Sequence, residues 1–143
     1  MSTSLKSVTP EIVAEALRQS GYRATLADEK GQPRIHSAAQ GIGFFVAFGA
    51  QDPMTTGSYL DLAFHCWIRI EGQMRGDLIE SWNQTRRFAR LFRQDALLVL
   101  TMDVVAVGVD KPYLGAQCEL WDRVIQDFIR HVREGAPKPV VPA

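Results

Sequence analysis

A chain of 143 residues, 46% of them hydrophobic, holds enough apolar material for one packed core, while two independent cores would be cramped. Lys plus Arg and Asp plus Glu both number 16, so the formal charge is zero. That balance excludes the overall basic footprint of a nucleic-acid binder or of a protein drawn to anionic membrane. The opening MSTSLKSVTPEIV lacks the apolar centre of a secretory signal, and no run of 18 apolar residues occurs. The expectation is a cytoplasmic chain without a membrane span.

Residues 1–8 read as a flexible lead. Thr9-Pro10-Glu11 then opens a first helix. Thr9 suits the cap, Pro10 the first helical position and Glu11 the positive end of the helix dipole. Ile12, Val13, Ala16 and Leu17 form its apolar stripe, and Gly21 closes it. Tyr22–Ala27 reads as a short strand, Asp28–Gly31 as a turn and Arg34–Ser37 as a weak strand. Gly41 and Gly43 introduce a further strand with Phe44, Val46 and Phe48 on one face. Gln51–Gly57 is a loop by its Asp-Pro and Gly. Ser58–Ile70 carries the most regular alternation in the chain, with Leu60, Leu62, Phe64, Cys66, Ile68 and Ile70 on one side. A period of two implies an antiparallel sheet with one buried and one mixed face.

After Gly72 and Gly76, Asp77 and Glu80 have the spacing of a capping box and start a second helix that ends near Thr85. Arg87–Arg93 and Leu97–Val107 read as the two arms of a hairpin. A loop of residues 94–96 sets Phe88 against Met102 and Phe92 against Leu98 on one face. It sets Arg87 against Asp103 and Ala89 against Thr101 on the other, which predicts an Arg87–Asp103 ion pair. The last helix begins near Asp110, with Pro112 in its first turn and a stripe of Leu114, Cys118, Trp121, Ile125, Phe128 and Val132, over about five to six turns. Gly135 stops it, and Ala136–Ala143 is a proline-rich tail. The chain thus reads as one α+β domain over residues 9–134, with a flexible segment at 135–143. Its architecture is a twisted antiparallel sheet of about five to six strands with three helices, in the order α-β-β-β-β-α-β-β-α.

Chemistry-bearing clusters are scarce. His36, His65 and His131 fall on separate elements, and adjacent His65 and Cys66 point to opposite faces of a strand, so no metal site is expected. Cys66 and Cys118 sit in apolar stripes and read as inert buried thiols, with a disulfide as the alternative. Gly41-x-Gly43 precedes a strand and presents no helix N-terminus to phosphate. Arg86, Arg87, Arg90 and Arg93 are the one basic cluster. On a strand they divide between two faces, which weakens an anion-binding reading. Trp82 reads as a buried anchor and Asn83 as a residue that bonds exposed backbone at a helix end. No catalytic residue and no cofactor is expected.

Trp82-Asn83-x-x-Arg86-Arg87-Phe88-Ala89-Arg90, a turn, a strand ending Met102-Asp103-Val104 and a final amphipathic helix resemble the YbjN-domain family, described as putative bacterial sensory transduction regulators. The signature positions here are Trp82, Asn83, Arg86, Arg87, Phe88, Ala89 and Asp103. The continuously apolar run Val104–Val109 departs from the polar return of the family pattern. The resemblance implies a fold similar to type III secretion chaperones, assembly as a homodimer and no enzymatic activity. The expected function is a regulatory or chaperone-like module that binds a protein partner, with Tyr59, Trp67 and Val105 as the possible interaction surface. The alternative is a small-ligand binder or enzyme that uses Arg87, Asp103, His65 and Trp67 around a cleft on the sheet face. A purely structural partner subunit is the third reading.

Overall fold

A computed structural model describes residues 3–72, 74 and 76–134. The tail read at 135–143 lies outside the described residues. The elements are α1 (Pro10–Gln19), β1 (Thr25–Glu29), β2 (Gln32–Ala39), β3 (Ile42–Phe48), β4 (Asp61–Arg69), α2 (Leu78–Thr85), β5 (Ala89–Gln94), β6 (Leu97–Val105) and α3 (Lys111–Glu134). This is the expected order, and the six strands form one antiparallel sheet in the spatial order β1-β2-β3-β4-β6-β5.

Local chemistry sets the boundaries. Thr9 Oγ1 accepts from the Ile12 N–H at 3.2 Å. At the other end of α1 the Gly21 N–H donates to Arg18 O and the Tyr22 N–H to Leu17 O, both at 3.0 Å. Gly21 has φ 93°, the left-handed conformation that this closing motif requires. Asp110 Oδ1 accepts from the Tyr113 N–H at 2.9 Å and starts α3. Asp77 stands at the N-cap of α2, but its side chain makes no capping hydrogen bond, so the expected capping box does not form. The first two hairpins close on Lys30-Gly31 and Gln40-Gly41, all four at positive φ. That turn matches the twist of the strands it joins, and it lets β1 and β2 run further toward each other than the sequence reading allowed.

All three helices lie on one face of the sheet. Val13 and Leu17 of α1, Leu78 and Trp82 of α2, and Cys118, Trp121, Ile125 and Phe128 of α3 meet Ile35, Phe44, Val46, Phe64, Cys66, Leu91, Leu100 and Met102 in one core. The Trp121 ring lies 5.8 Å from Phe44 and 5.3 Å from Phe64. Cys66 and Cys118 are both free and buried. Burial pushes the Cys66 thiol up to about 12 and the Cys118 thiol up to about 11. Residues 3–8, read as a flexible lead, run back along the domain: the Leu5 N–H bonds to Val109 O, and Val8 bridges to Tyr59 and is fully buried.

The β5–β6 register differs from the expected one by a residue. Gln94 faces Leu97 across a two-residue turn, so Leu91 faces Leu100, Ala89 faces Met102 and Arg90 faces Thr101. Asp95 takes φ 53° and makes this tight turn possible. Ala89 and Leu91 fill the core side, while Phe92 points to the opposite face, and Phe88 leaves the strand altogether at φ 75° with 65% of its surface exposed. The predicted Arg87–Asp103 pair is therefore absent. Arg90 takes Asp103 instead.

Candidate functional site: the open sheet face and its capped edge

The sheet face away from the helices is built from alternate residues of all six strands. Two rows cross it in register. Phe45, His65, Thr101 and Arg90 form one; Trp67, Val99 and Phe92 form the next. Phe45 sits at their junction. The His65 imidazole stacks on it at 5.0 Å between centroids, Trp67 meets it edge-on at 5.2 Å, and the Arg34 guanidinium covers it at 4.6 Å. Each long side chain shields its neighbours, so Val99 and Thr101 are buried although no helix covers them. Trp67 remains 45% exposed and Phe92 lies at the rim.

Among the described residues, three acid–base contacts lie on this face, while Arg69 and Asp61 of β4 share it without an ion pair. Glu29 bonds Arg34 at 2.9 Å and His36 at 2.7 Å, and Asp103 bonds Arg90. His65 Nδ1 lies 3.0 Å from Thr101 Oγ1. Burial among these rings pushes His65 below its ordinary value, with Arg34 and Arg90 acting in the same sense and Asp103 against it. His65 is thus held neutral near pH 7, packed as an aromatic with one polar tip.

The expected residues divide. Trp67 is exposed on this face, and so is Val105, at 65%. Tyr59 is 8% exposed: it packs against Phe48 at 5.1 Å under the N-terminal segment, and so offers no surface. Arg87, Asp103, His65 and Trp67 do not converge on a cleft, since the Arg87 guanidinium lies 5.5 Å from the Phe88 ring and Arg90 holds Asp103. A cavity of about 670 Å³ lies elsewhere, between α1 and α3. Phe45, Arg34, Glu29 and Phe92 were missed as members of this face. The odd positions of β3 give the signal for Phe45, but on a face expected to be mixed nothing in the sequence marks which apolar residue stands there.

The signature residues of α2 work on the edge of the sheet. In a two-residue hairpin the pair that closes the turn is hydrogen-bonded, so the backbone groups of Leu91 and Ala89 point away from β6 to the free edge. Asn83 Nδ2 donates to Leu91 O at 2.8 Å and Asn83 Oδ1 accepts from the Leu91 N–H at 2.9 Å. Trp82 Nε1 donates to Ala89 O at 3.1 Å from a buried ring. One carboxamide therefore replaces the missing strand neighbour. Arg86 braces the arrangement: its Nε and Nη2 donate to the two Asp127 oxygens of α3, each at 3.1 Å, and its guanidinium lies 5.0 Å from the Trp82 ring centroid. Arg86 holds the Asp127 carboxyl below its usual range. His131, unremarkable in sequence, is buried against the Trp82 ring and its Nε2–H donates to Leu78 O at 2.8 Å.

The family model of YbjN, "Putative bacterial sensory transduction regulator", matches residues 9–134. The chain belongs to the YbjN family. No curated protein and no solved structure matches it. Of the residues read as resembling that family, Trp82 and Asn83 close the β5 edge at Ala89 and Leu91, and Arg86 ties α2 to α3, whereas Phe88 is exposed beside Arg87 and Asp103 pairs with Arg90. Among the described residues no group of three or more His, Cys, Asp or Glu is placed to hold a metal ion, and no helix is long and apolar enough to cross a membrane.

Proposed function

We propose that this YbjN-family chain is a non-enzymatic regulatory module that works, in the manner of a chaperone, by holding a protein partner in the cytoplasm on the open face of its sheet. One observation carries the reading. The helices all cover one face, and the other presents Trp67 and Phe92 on either side of buried Val99, with the Arg34–Glu29 and Arg90–Asp103 pairs on the same face. Exposed aromatic side chains beside polar and charged ones are the anatomy of a protein interface, where a few aromatic anchors supply most of the affinity. The chemistry present on this face supports binding over turnover: His65 is neutral and packed, and each acid beside it is ion-paired.

The immobilised full chain is expected to retain a discrete protein from an extract of its host. Trp67→Glu, with an unchanged circular dichroism spectrum, weakens that binding on the order of 30-fold, the cost of a lost interface anchor. Binding that survives both Trp67→Glu and Phe92→Glu without change overturns the reading.

A further inference from the structure

The two edges of the sheet are treated differently. At β5, the outward backbone groups of Leu91 and the carbonyl of Ala89 are taken by Asn83 and Trp82. At β1 the only such bond among the described residues lies just before the strand, where Arg18 Nη2 donates to Ala24 O. Glu29 and Gln32 close the two-residue turn between β1 and β2 and form a hydrogen-bonded pair, so Thr25, Ala27 and Glu29 bond inward to β2. Leu26 and Asp28 direct their N–H and C=O outward, and among the described residues no backbone group pairs with them. Leu26 is also 41% exposed, beside a cavity of about 280 Å³ lined by Pro10, Glu11, Ala27, Asp28 and Pro33.

We propose that β1 is the dimer edge: two copies of this chain join antiparallel through β1, extending the sheet across a two-fold axis. Symmetry restricts the register. An axis normal to the sheet keeps each side chain on its own face, so paired residue numbers must sum to an even value. A sum of 54 sets Leu26 against Asp28 of the partner subunit, an apolar side chain against a carboxylate. A sum of 56 sets Asp28 against Asp28 of the partner subunit. A sum of 52 sets Leu26 against Leu26 of the partner subunit and, where Arg23 just before β1 extends the ladder, Arg23 against Glu29 of the partner subunit, twice by symmetry, with Glu29 also held by Arg34 and His36 within its own chain. Only the last combines apolar contact with opposite charges. It also pairs outward groups with outward groups, since Leu26 meets itself and Ala24 meets Asp28 of the partner subunit. Ala24 O already accepts from Arg18 Nη2 at 2.8 Å and keeps a second lone pair for the ladder. The Pro10–Pro33 cavity lies on the helix side of β1, where the two Leu26 side chains meet.

Cysteine cross-linking of the full chain tests both the edge and the register. Leu26→Cys, at an exposed position, forms a disulfide dimer under mild oxidation, because directly paired residues bring their Cα atoms to about 5.5 Å, within disulfide reach. Ala27→Cys, its control, cross-links at least tenfold more slowly, and Arg23→Glu weakens the dimer on the order of tenfold in sedimentation equilibrium. A monomeric mass at all concentrations, or preferential cross-linking at position 27, overturns the proposal. The partner-binding reading of the opposite sheet face stands or falls separately, through Trp67.

Discussion

The Asn83 carboxamide grips both backbone groups of Leu91, donating to its carbonyl at 2.8 Å and accepting from its N–H at 2.9 Å. A side chain that serves one residue in both directions imitates a neighbouring strand. Asn83→Ala leaves both groups to water or to another chain. It is expected to lower stability by about 1–3 kcal/mol in urea unfolding, and to raise aggregation from the uncovered β5 edge. Asn83→Asp keeps the acceptor but sets a carboxylate against Leu91 O, and is expected to be at least as damaging. Equal stability of wild type and Asn83→Ala would show that the cap is decorative.

Arg86 and Asp127 form a two-pronged pair partly shielded by Trp82. A double-mutant cycle with Arg86→Gln and Asp127→Asn is expected to give a coupling of about 1 kcal/mol at neutral pH, since both side chains keep some exposure. The Asp127 carboxyl is depressed by Arg86 below 3.8. Its contribution is therefore whole above that value and fades as pH falls through the lower folded value. A coupling that persists undiminished at pH 2 contradicts the pairing.

His65 predicts an acid sensitivity of its own. Burial depresses it below 6.5, so in the window beneath that value the unfolded chain binds a proton that the folded chain refuses. Stability due to neutral His65 is present above pH 6.5 and is lost as pH falls through the folded value. His65→Phe, which keeps a ring against Phe45, is expected to flatten the dependence of unfolding free energy on pH between 7 and 5. An unchanged slope would mean that His65 titrates alike in both states.

The legibility of the fold was uneven for physical reasons. Thr9, Pro10 and Gly21 act within their own helix, and Leu62, Phe64 and Cys66 alternate within their own strand, so local sequence specifies them. The expected β5–β6 register rests on a loop of residues 94–96 that keeps apolar and polar residues on separate faces. It failed because the open face is itself apolar at Val99 and Trp67 and accepts Phe92, while the small Ala89 suffices opposite Met102. Arg90 therefore received the partner expected for Arg87. Tyr59 was read as surface because the cover supplied by Val8 arrives from fifty residues away. The Arg86–Asp127 pair, forty-one residues apart, leaves no local trace either.

Both cysteines are expected to resist modification. With Cys66 raised to about 12 and Cys118 to about 11, almost no thiolate exists at pH 8, and both side chains are buried. An aromatic disulfide reagent is expected to label neither in the native protein and both after denaturation. Fast labelling of the native chain would place one thiol at the surface.

The proposed function places partner binding on the open face, away from the β5 edge that Trp82 and Asn83 close. Its most direct test is site-specific photo-cross-linking in the native host. A photoreactive phenylalanine at position 67, on the open face, is expected to trap a distinct partner protein, and the same group at Arg123, on the exposed side of α3, to trap none. Cross-linking from Arg123 to a partner that position 67 never touches would contradict the account.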